Sequence, residues 1–443
     1  MEIVSFRTPG LGDQTYLLTH EGTGVLVDPQ RDVDRFLDAA AQRNVELRFV
    51  LDTHLHNDYL SGGRAAAARS GAELVLPAAA AAAYPHTPAF HLEDLTGKDG
   101  LTIRPIHTPG HTPEHTSYLV LIEGEPVAVF SGGSLLVASA GRTDLLGPER
   151  ARTLAGLQYG SLHRLGALPR HVGLYPTHGA GSFCSSTGAG RFTSTIGAEL
   201  EANRLLALPD VETFTGELLA EPMPIPAFYA HMGPANTIGV PPAPEGRPPE
   251  IGLAGLPEDV HVVDIRPRTV QATGFLPGST GIELADDFGS WAGWLLPYGE
   301  PIALVAQPGQ DVAEAVTQLI RIGLDDIHGV VTDLGEAATA RFELVDLAGF
   351  VDRMNAAGAQ VLDVRMPTEH RRRPLPGAIE RFLPDLLTEG IPVGLDRDRP
   401  VLVACGSGRR AAIAATILAR AGYRASVLTG AGAHDVAASL TTT

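Results

Sequence analysis

The sequence predicts an α/β protein made of more than one layered domain. Strand-like and helix-like segments alternate through about the first 220 residues, a proline-rich stretch follows, and the rest of the chain repeats itself once. At 443 residues the chain is too long for one ordinary core, so two or three domains are expected. Hydrophobic residues at 44% and charged residues at 19% describe globular rather than disordered material.

The first segment opens with short strands, Glu2–Phe6, Gln14–Leu18 and Gly24–Val27, the last running into Asp28-Pro29. A helix over Val33–Ala41 and a buried strand over Arg48–Leu51 follow. That strand ends in Asp52-Thr53-His54-Leu55-His56-Asn57-Asp58-Tyr59, where a turn can bring two imidazoles to one ion. The alanine run Ala78–Ala83 predicts a helix, since alanine is the best helix former.

Three further stretches carry chemistry. His107-Thr108-Pro109-Gly110-His111-Thr112-Pro113-Glu114-His115 is a rigid turn between the strand-like Leu101–Ile106 and Ser117–Ile122. Ala128–Phe130 leads into Ser131-Gly132-Gly133-Ser134 and then Gly141-Arg142-Thr143-Asp144. The fourth runs from Leu174 through Thr177-His178-Gly179 to Cys184.

In this order the four stretches resemble the metallo-β-lactamase superfamily, in its glyoxalase-II-like and persulfide dioxygenase branch. The resemblance implies an αββα sandwich with a metal site at the strand ends along one edge. His54, His56 and His111 match one metal position, and Asp58 and His178 remain of a second. Two departures alter that expectation. Tyr59 stands where the family has histidine, and Gly133 where it has a metal-binding aspartate. A two-metal hydrolase needs a carboxylate between ions about 3.5–4 Å apart, and glycine supplies none. The expected cofactor is therefore one iron or zinc ion, the alternative being a metal-free relic pocket. Asp58 serves equally well to orient a histidine. His115 reads as a supporting residue, Arg142 and Asp144 as loop ties, and Cys184 as a small buried hydrophobe.

Residues 221–250 are rich in proline, from Pro222, Pro224 and Pro226 to Pro248 and Pro249, and read as a semi-rigid connector. Within it, Phe228–Met232 is apolar enough to pack back on the first domain. Beyond it, Val262-Val263-Asp264-Ile265-Arg266 recurs as Val361-Leu362-Asp363-Val364-Arg365. Pro277-Gly278 and Pro376-Gly377 each follow 13 residues after that aspartate (277 less 264, 376 less 363). Ala306 and Cys405 end matching apolar strands 42 residues after it (306 less 264, 405 less 363). Two small α/β domains with parallel sheets are expected.

The second copy resembles a rhodanese domain at Cys405-Gly406-Ser407-Gly408-Arg409-Arg410, which follows a strand and opens a helix over Ala411–Ala421. Gly406, Ser407, Gly408 and Arg409 would cradle an anionic sulfur substrate with backbone N–H groups and positive charge. Cys405 is the expected nucleophile and Arg410 the brace of its loop. The first copy has Ala306 and Asp311 at those positions and is expected to be inactive. The domains are thus a metallo-β-lactamase-like domain at 1–235, a linker at 236–250, a degenerate rhodanese-like domain at 251–340 and a rhodanese domain at 341–443.

The architecture resembles bacterial fusion enzymes of sulfide and persulfide metabolism. It implies a sulfurtransferase working through a Cys405 persulfide, with thiosulfate, low-molecular-weight persulfides and thiols as small-molecule partners. Alternatives are an active persulfide dioxygenase with one iron, a thioester metallo-hydrolase and a non-enzymatic sulfur relay with a vestigial metal pocket. A net charge of −18 argues against nucleic-acid or anionic-membrane partners, and the Arg371-Arg372-Arg373 run reads as a solvated loop. Two distant cysteines and the lack of a signal-like start suggest a cytoplasmic protein, and a homo-oligomer stays open.

Overall fold

Side chains on successive strand residues point to opposite faces, so a strand buried on both sides must be apolar throughout. The first unit shows this directly. In the computed structural model, which describes residues 1–179, 181–184, 191–356 and 358–440, Tyr16, Leu18, Phe49 and Leu51 enter the core between two sheets. Their neighbours Leu17 and Val50 face the helices Asp34–Gln42 and Gly63–Ser70 on the outer side. From the second sheet, Ile103, Tyr118 and Val120 meet the inner core, while Leu119 and Leu121 pack outward against the helix Pro148–Gly166.

The first sheet runs antiparallel through Glu2–Thr8, Asp13–His20 and Thr23–Val27. It then continues parallel through Glu46–Leu51, Glu73–Pro77 and Thr87–Ala89. The second sheet has Leu101–His107, Thr116–Ile122 and Glu125–Gly132 antiparallel, with Gly173–Pro176 parallel to the last. The result is the expected αββα sandwich. Ala180 of the fourth motif stretch lies outside the described residues.

The helix expected at Ala78–Ala83 does not form. The Ala78 N–H donates to Ala89 O, Ala80 to Pro77 O and Ala83 to Thr237 O, so the run is an irregular loop. The seven residues between Pro77 and Pro85 cannot repay helix nucleation, and tertiary partners take the backbone donors instead. The proline-rich stretch, expected to be an extended connector, holds a helix at Tyr229–Ile238, and Phe228, Tyr229 and Met232 are buried.

The chain divides into two compact units, 1–244 with 320–323, and 245–319 with 324–443. The second unit contains both copies of the repeat. One sheet has the order Thr280–Gly281, His261–Asp264, Ile302–Val305, Ile327–Val331. The other has Ile379–Glu380, Gln360–Asp363, Val401–Ala404, Ala425–Leu428, Glu343–Val345. Strand neighbours in both are parallel, and equivalent partners share a register: Asp264 faces Gly281, and Asp363 faces Glu380. Each aspartate also forms a two-pronged ion pair, Asp264 with Arg266 and Asp363 with Arg365. Arg266 then reaches Gly274 O at 2.9 Å, and Arg365 reaches Arg373 O at 2.8 Å.

Candidate metal centre and sulfur-transfer loop

In the first unit the chemistry sits where strands end. The Thr23–Val27 strand delivers Asp28, Glu46–Leu51 delivers Asp52, Thr53 and His54, and Gly173–Pro176 delivers Thr177 and His178. The turn after Leu101–His107 carries His111 and His115. His54, His56, His111, His115 and His178 are all at most 1% exposed. One nitrogen each of His54, His111 and His178 lies within 4.8 Å of the others. Such spacing fits a single metal ion. His56 is placed instead with Asp58 and His178, and with Asp28 and Asp52.

Asp28 organises this cluster. Its carboxylate accepts the Thr53 N–H at 2.7 Å, the Thr53 hydroxyl at 2.8 Å and the Thr177 hydroxyl, and lies 3.3 Å from His56 Nε2. Burial alone would raise its pKa, but His56 and these donors hold it below the usual carboxylate range. The partner shows the complement: burial opposes its charge, yet Asp28 lifts His56 to about 9. Tyr59, in the family's histidine position, lies stacked on His56 with its hydroxyl 3.0 Å from Nε2, and that hydroxyl donates to Asp28 O.

Burial lowers the other imidazoles. His111 falls to about 3, and His54, His115 and His178 also move down, with neighbouring imidazoles adding to the shift. Behind His178, burial raises Asp13 to about 8 and Asp58 to about 7. His115 supports rather than coordinates, since Nε2 accepts the Gly133 N–H at 2.9 Å and Nδ1 meets Thr108 Oγ1. Arg142 ties down its loop through Asp144 and the carbonyls of Phe183, Met223 and Pro224. Cys184 is buried as expected, but its thiol contacts Asp58 at 3.5 Å and the Tyr229 hydroxyl at 3.4 Å.

Sequence reading missed Asp13, Asp28 and Asn236. Asn236 clamps the histidine loop, donating to His56 O and Tyr59 O and accepting the Ser61 N–H. Asp28 had a usable signal, an acid at the end of an apolar strand. Asn236 had none, because its partners lie more than 170 residues away.

In the second unit, Cys405 is fully buried at the base of its loop, and Sγ accepts the Gly408 N–H at 3.1 Å. Gly408 takes a left-handed φ of 86°, which turns the chain into the helix Arg409–Arg420. Gly406 borders the mouth and Ser407 is exposed at the tip. Arg410 grips Glu369 with both terminal nitrogens at 2.5 and 2.8 Å. Sequence reading missed Glu369, whose signal was an acid in the first turn of the helix after Arg365. A cavity of about 250 Å³ opens here, lined by Arg365, Glu369, Arg372, Arg373, Gly406 and His434.

The first copy supplies part of the surroundings. Asp287 pairs with Arg409 at 2.9 Å, and the Trp291 ring lies 5.9 Å from the Arg410 guanidinium. Its own loop keeps a left-handed turn at Gly309, φ 78°. Gln310 closes that loop by accepting the Gln307 N–H and donating to Ile265 O.

Residues 9–178 match the family model for the metallo-beta-lactamase superfamily, and residues 347–432 that for a rhodanese-like domain. The chain thus contains a metallo-β-lactamase-superfamily domain and, toward its C-terminal end, a rhodanese-like domain. It is similar to a hydroxyacylglutathione hydrolase of Acidiphilium cryptum, 37% identical over 26% of this chain and 47% of that protein. The same name belongs to a Methylobacillus flagellatus relative, 31% identical over 37% of this chain and 60% of that protein. The chain thus spans roughly half to three-fifths of these relatives. A metallo-beta-lactamase structure from Staphylococcus aureus superposes with a TM-score of 0.68 at 27% identity, covering 75% of this chain and 99% of that one. No helix among the described residues is long and apolar enough to cross a membrane.

Proposed function

We propose that this protein is a sulfurtransferase that carries sulfane sulfur on Cys405, joined to a metal-binding domain that acts on a small sulfur compound. One observation supports it most: Cys405 Sγ accepts a backbone N–H at the base of a glycine turn that opens a helix N-terminus. Negative charge on sulfur is favoured there. A Cys405 thiolate attacks the outer sulfur of thiosulfate, the S–S bond breaks, and sulfite leaves with the electron pair. An acceptor thiolate then takes the terminal sulfur, and the Cys405 thiolate returns. Gly406, Ser407, Gly408 and Arg409 surround the transferred sulfur, and Arg410 braces the loop through Glu369.

The first unit is proposed to hold one iron or zinc ion on His54, His111 and further groups of the cluster. When bound, the ion would supply Lewis-acid polarisation, and iron would add O₂ chemistry toward a persulfide. The relatives' name favours a second reading, hydrolysis of a glutathione thioester. Tyr59 and Gly133 weigh against it, because they remove two groups that a two-metal site needs.

The test is a thiosulfate-to-cyanide transfer assay on the wild-type chain and on Cys405→Ser. A loss of roughly a thousandfold or more is expected, as for removal of a nucleophile. Equal rates would overturn the assignment. Turnover of a glutathione thioester by the same samples, unaffected by Cys405→Ser, would favour the hydrolase instead.

A further inference from the structure

The three imidazoles nearest one another have their tautomers fixed by their surroundings. The Thr53 hydroxyl has one proton and gives it to the Asp28 carboxylate at 2.8 Å. Toward His54 Nδ1, at 2.9 Å, it can only accept, so Nδ1 carries the hydrogen. His111 Nδ1 lies 2.8 Å from Arg142 O, a pure acceptor, and therefore also donates. His178 Nδ1 faces carboxyl oxygens of Asp13 at 2.8 Å and Asp58 at 3.3 Å and donates to the ionised member of that pair. Each Nε2 is left with a lone pair.

Those lone pairs converge. His54 Nε2 and His178 Nε2 are 3.3 Å apart, a close approach of two acceptors with no hydrogen between them. His111 Nε2 is buried with no hydrogen-bond partner. Three unshared lone pairs around one point ask for a cation.

Gly133 makes the convergence possible. A Cβ on residue 133 would lie 2.1 Å from His111 Cδ2 and 2.7 Å from His111 Nε2. The imidazole occupies space that any side chain at 133 would need. His56 is drawn the other way, with Nε2 held between Tyr59 and Asp28.

We infer that one divalent metal ion is held by Nε2 of His54, His111 and His178, with His178 in the place that His56 was expected to fill. This rests on the reading that the first unit binds a single ion, and it names the ligands. Three neutral nitrogen donors suit borderline ions such as Fe²⁺, Co²⁺ and Zn²⁺, and not Mg²⁺ or Ca²⁺, which prefer oxygen. They leave the full double positive charge for an anionic exogenous ligand, a class that includes thiolates and persulfides.

The test is Co²⁺ binding to the chelator-stripped full-length chain, followed by metal analysis after dialysis and by visible absorption. One Co²⁺ per chain is expected, with no uptake of Mg²⁺ or Ca²⁺. His178→Gln and His111→Gln should weaken binding by about a hundredfold or more, whereas His56→Gln should stay within about tenfold. Far-UV circular dichroism identifies variants that fold, and the thiosulfate-to-cyanide rate reports separately on Cys405. Loss of Co²⁺ in folded His56→Gln with retention in His178→Gln would overturn the ligand set. A folded wild-type chain that binds no Co²⁺ would overturn both the ligand set and the single-ion reading, and leave the sulfurtransferase reading standing.

Discussion

Arg372 and Arg373 show how a residue's meaning depends on what folds beside it. In the sequence they belong to a run of three arginines, and a solvated loop is the simplest reading. Both are exposed, but they also line the cavity at the Gly406 edge of the Cys405 loop. Positive charge on that wall would draw in a dianion such as the proposed substrate thiosulfate. Replacing both with alanine should raise KM for thiosulfate about fivefold with little change in kcat. Lysine at both positions should restore it, and added salt should shrink the difference. Steady-state kinetics at two ionic strengths would show an uncharged role if KM did not move.

At the scale of elements, the Cys405 loop is held from below. Glu369 sits in the short helix Pro367–Arg372, accepts the Met366 N–H and grips Arg410 on the helix Arg409–Arg420. Burial works against the Glu369 charge, but Arg410 outweighs it and lowers the folded pKa below the usual 4.5. On acidification the unfolded chain therefore takes up this proton first, so the stabilisation is present above pH 4.5 and fades below it. Glu369→Gln should be less stable than wild type by about 2 kcal/mol at pH 7, since Arg410 is left largely buried without its partner. The gap should narrow as the pH drops below 4.5. Denaturant melts at pH 7, 5 and 4 would refute this if the gap stayed constant.

Much of this level was legible in the sequence. Alternating apolar strands, the histidine loop and the glycine turn at Cys405 are local patterns, and local chemistry fixes them. Ala78–Ala83 misled because propensity favours a helix while distant acceptors, Ala89 O and Thr237 O, take its donors. The placement of His178 was hidden for a similar reason. It depends on Asp13, which lies 165 residues away, and on the space that Gly133 leaves.

For the whole molecule, the histidine cluster and the Cys405 loop fall in separate compact units, the first holding His54 to His178 and the second Cys405. Stripping the metal should lower the melting temperature of the first unit alone. Saturation at a thousand times Kd is worth about 4 kcal/mol. The rate of thiosulfate-to-cyanide transfer should not change. Scanning calorimetry with and without chelator, beside that assay, would expose coupling if both moved together.

The duplicated halves of the second unit share an aspartate–arginine ion pair and differ after the matching strand, which ends at Cys405 in one and Ala306 in the other. Asp264 with Arg266 and Asp363 with Arg365 have the same geometry, down to the carbonyl each arginine reaches eight residues on. If Cys405 is the nucleophile as proposed, the first copy would serve as a reagent blank inside the same chain. A substitution made at Arg365 can be repeated at Arg266, where Ala306 replaces the thiol, so that damage to folding and damage to chemistry are separated within one molecule.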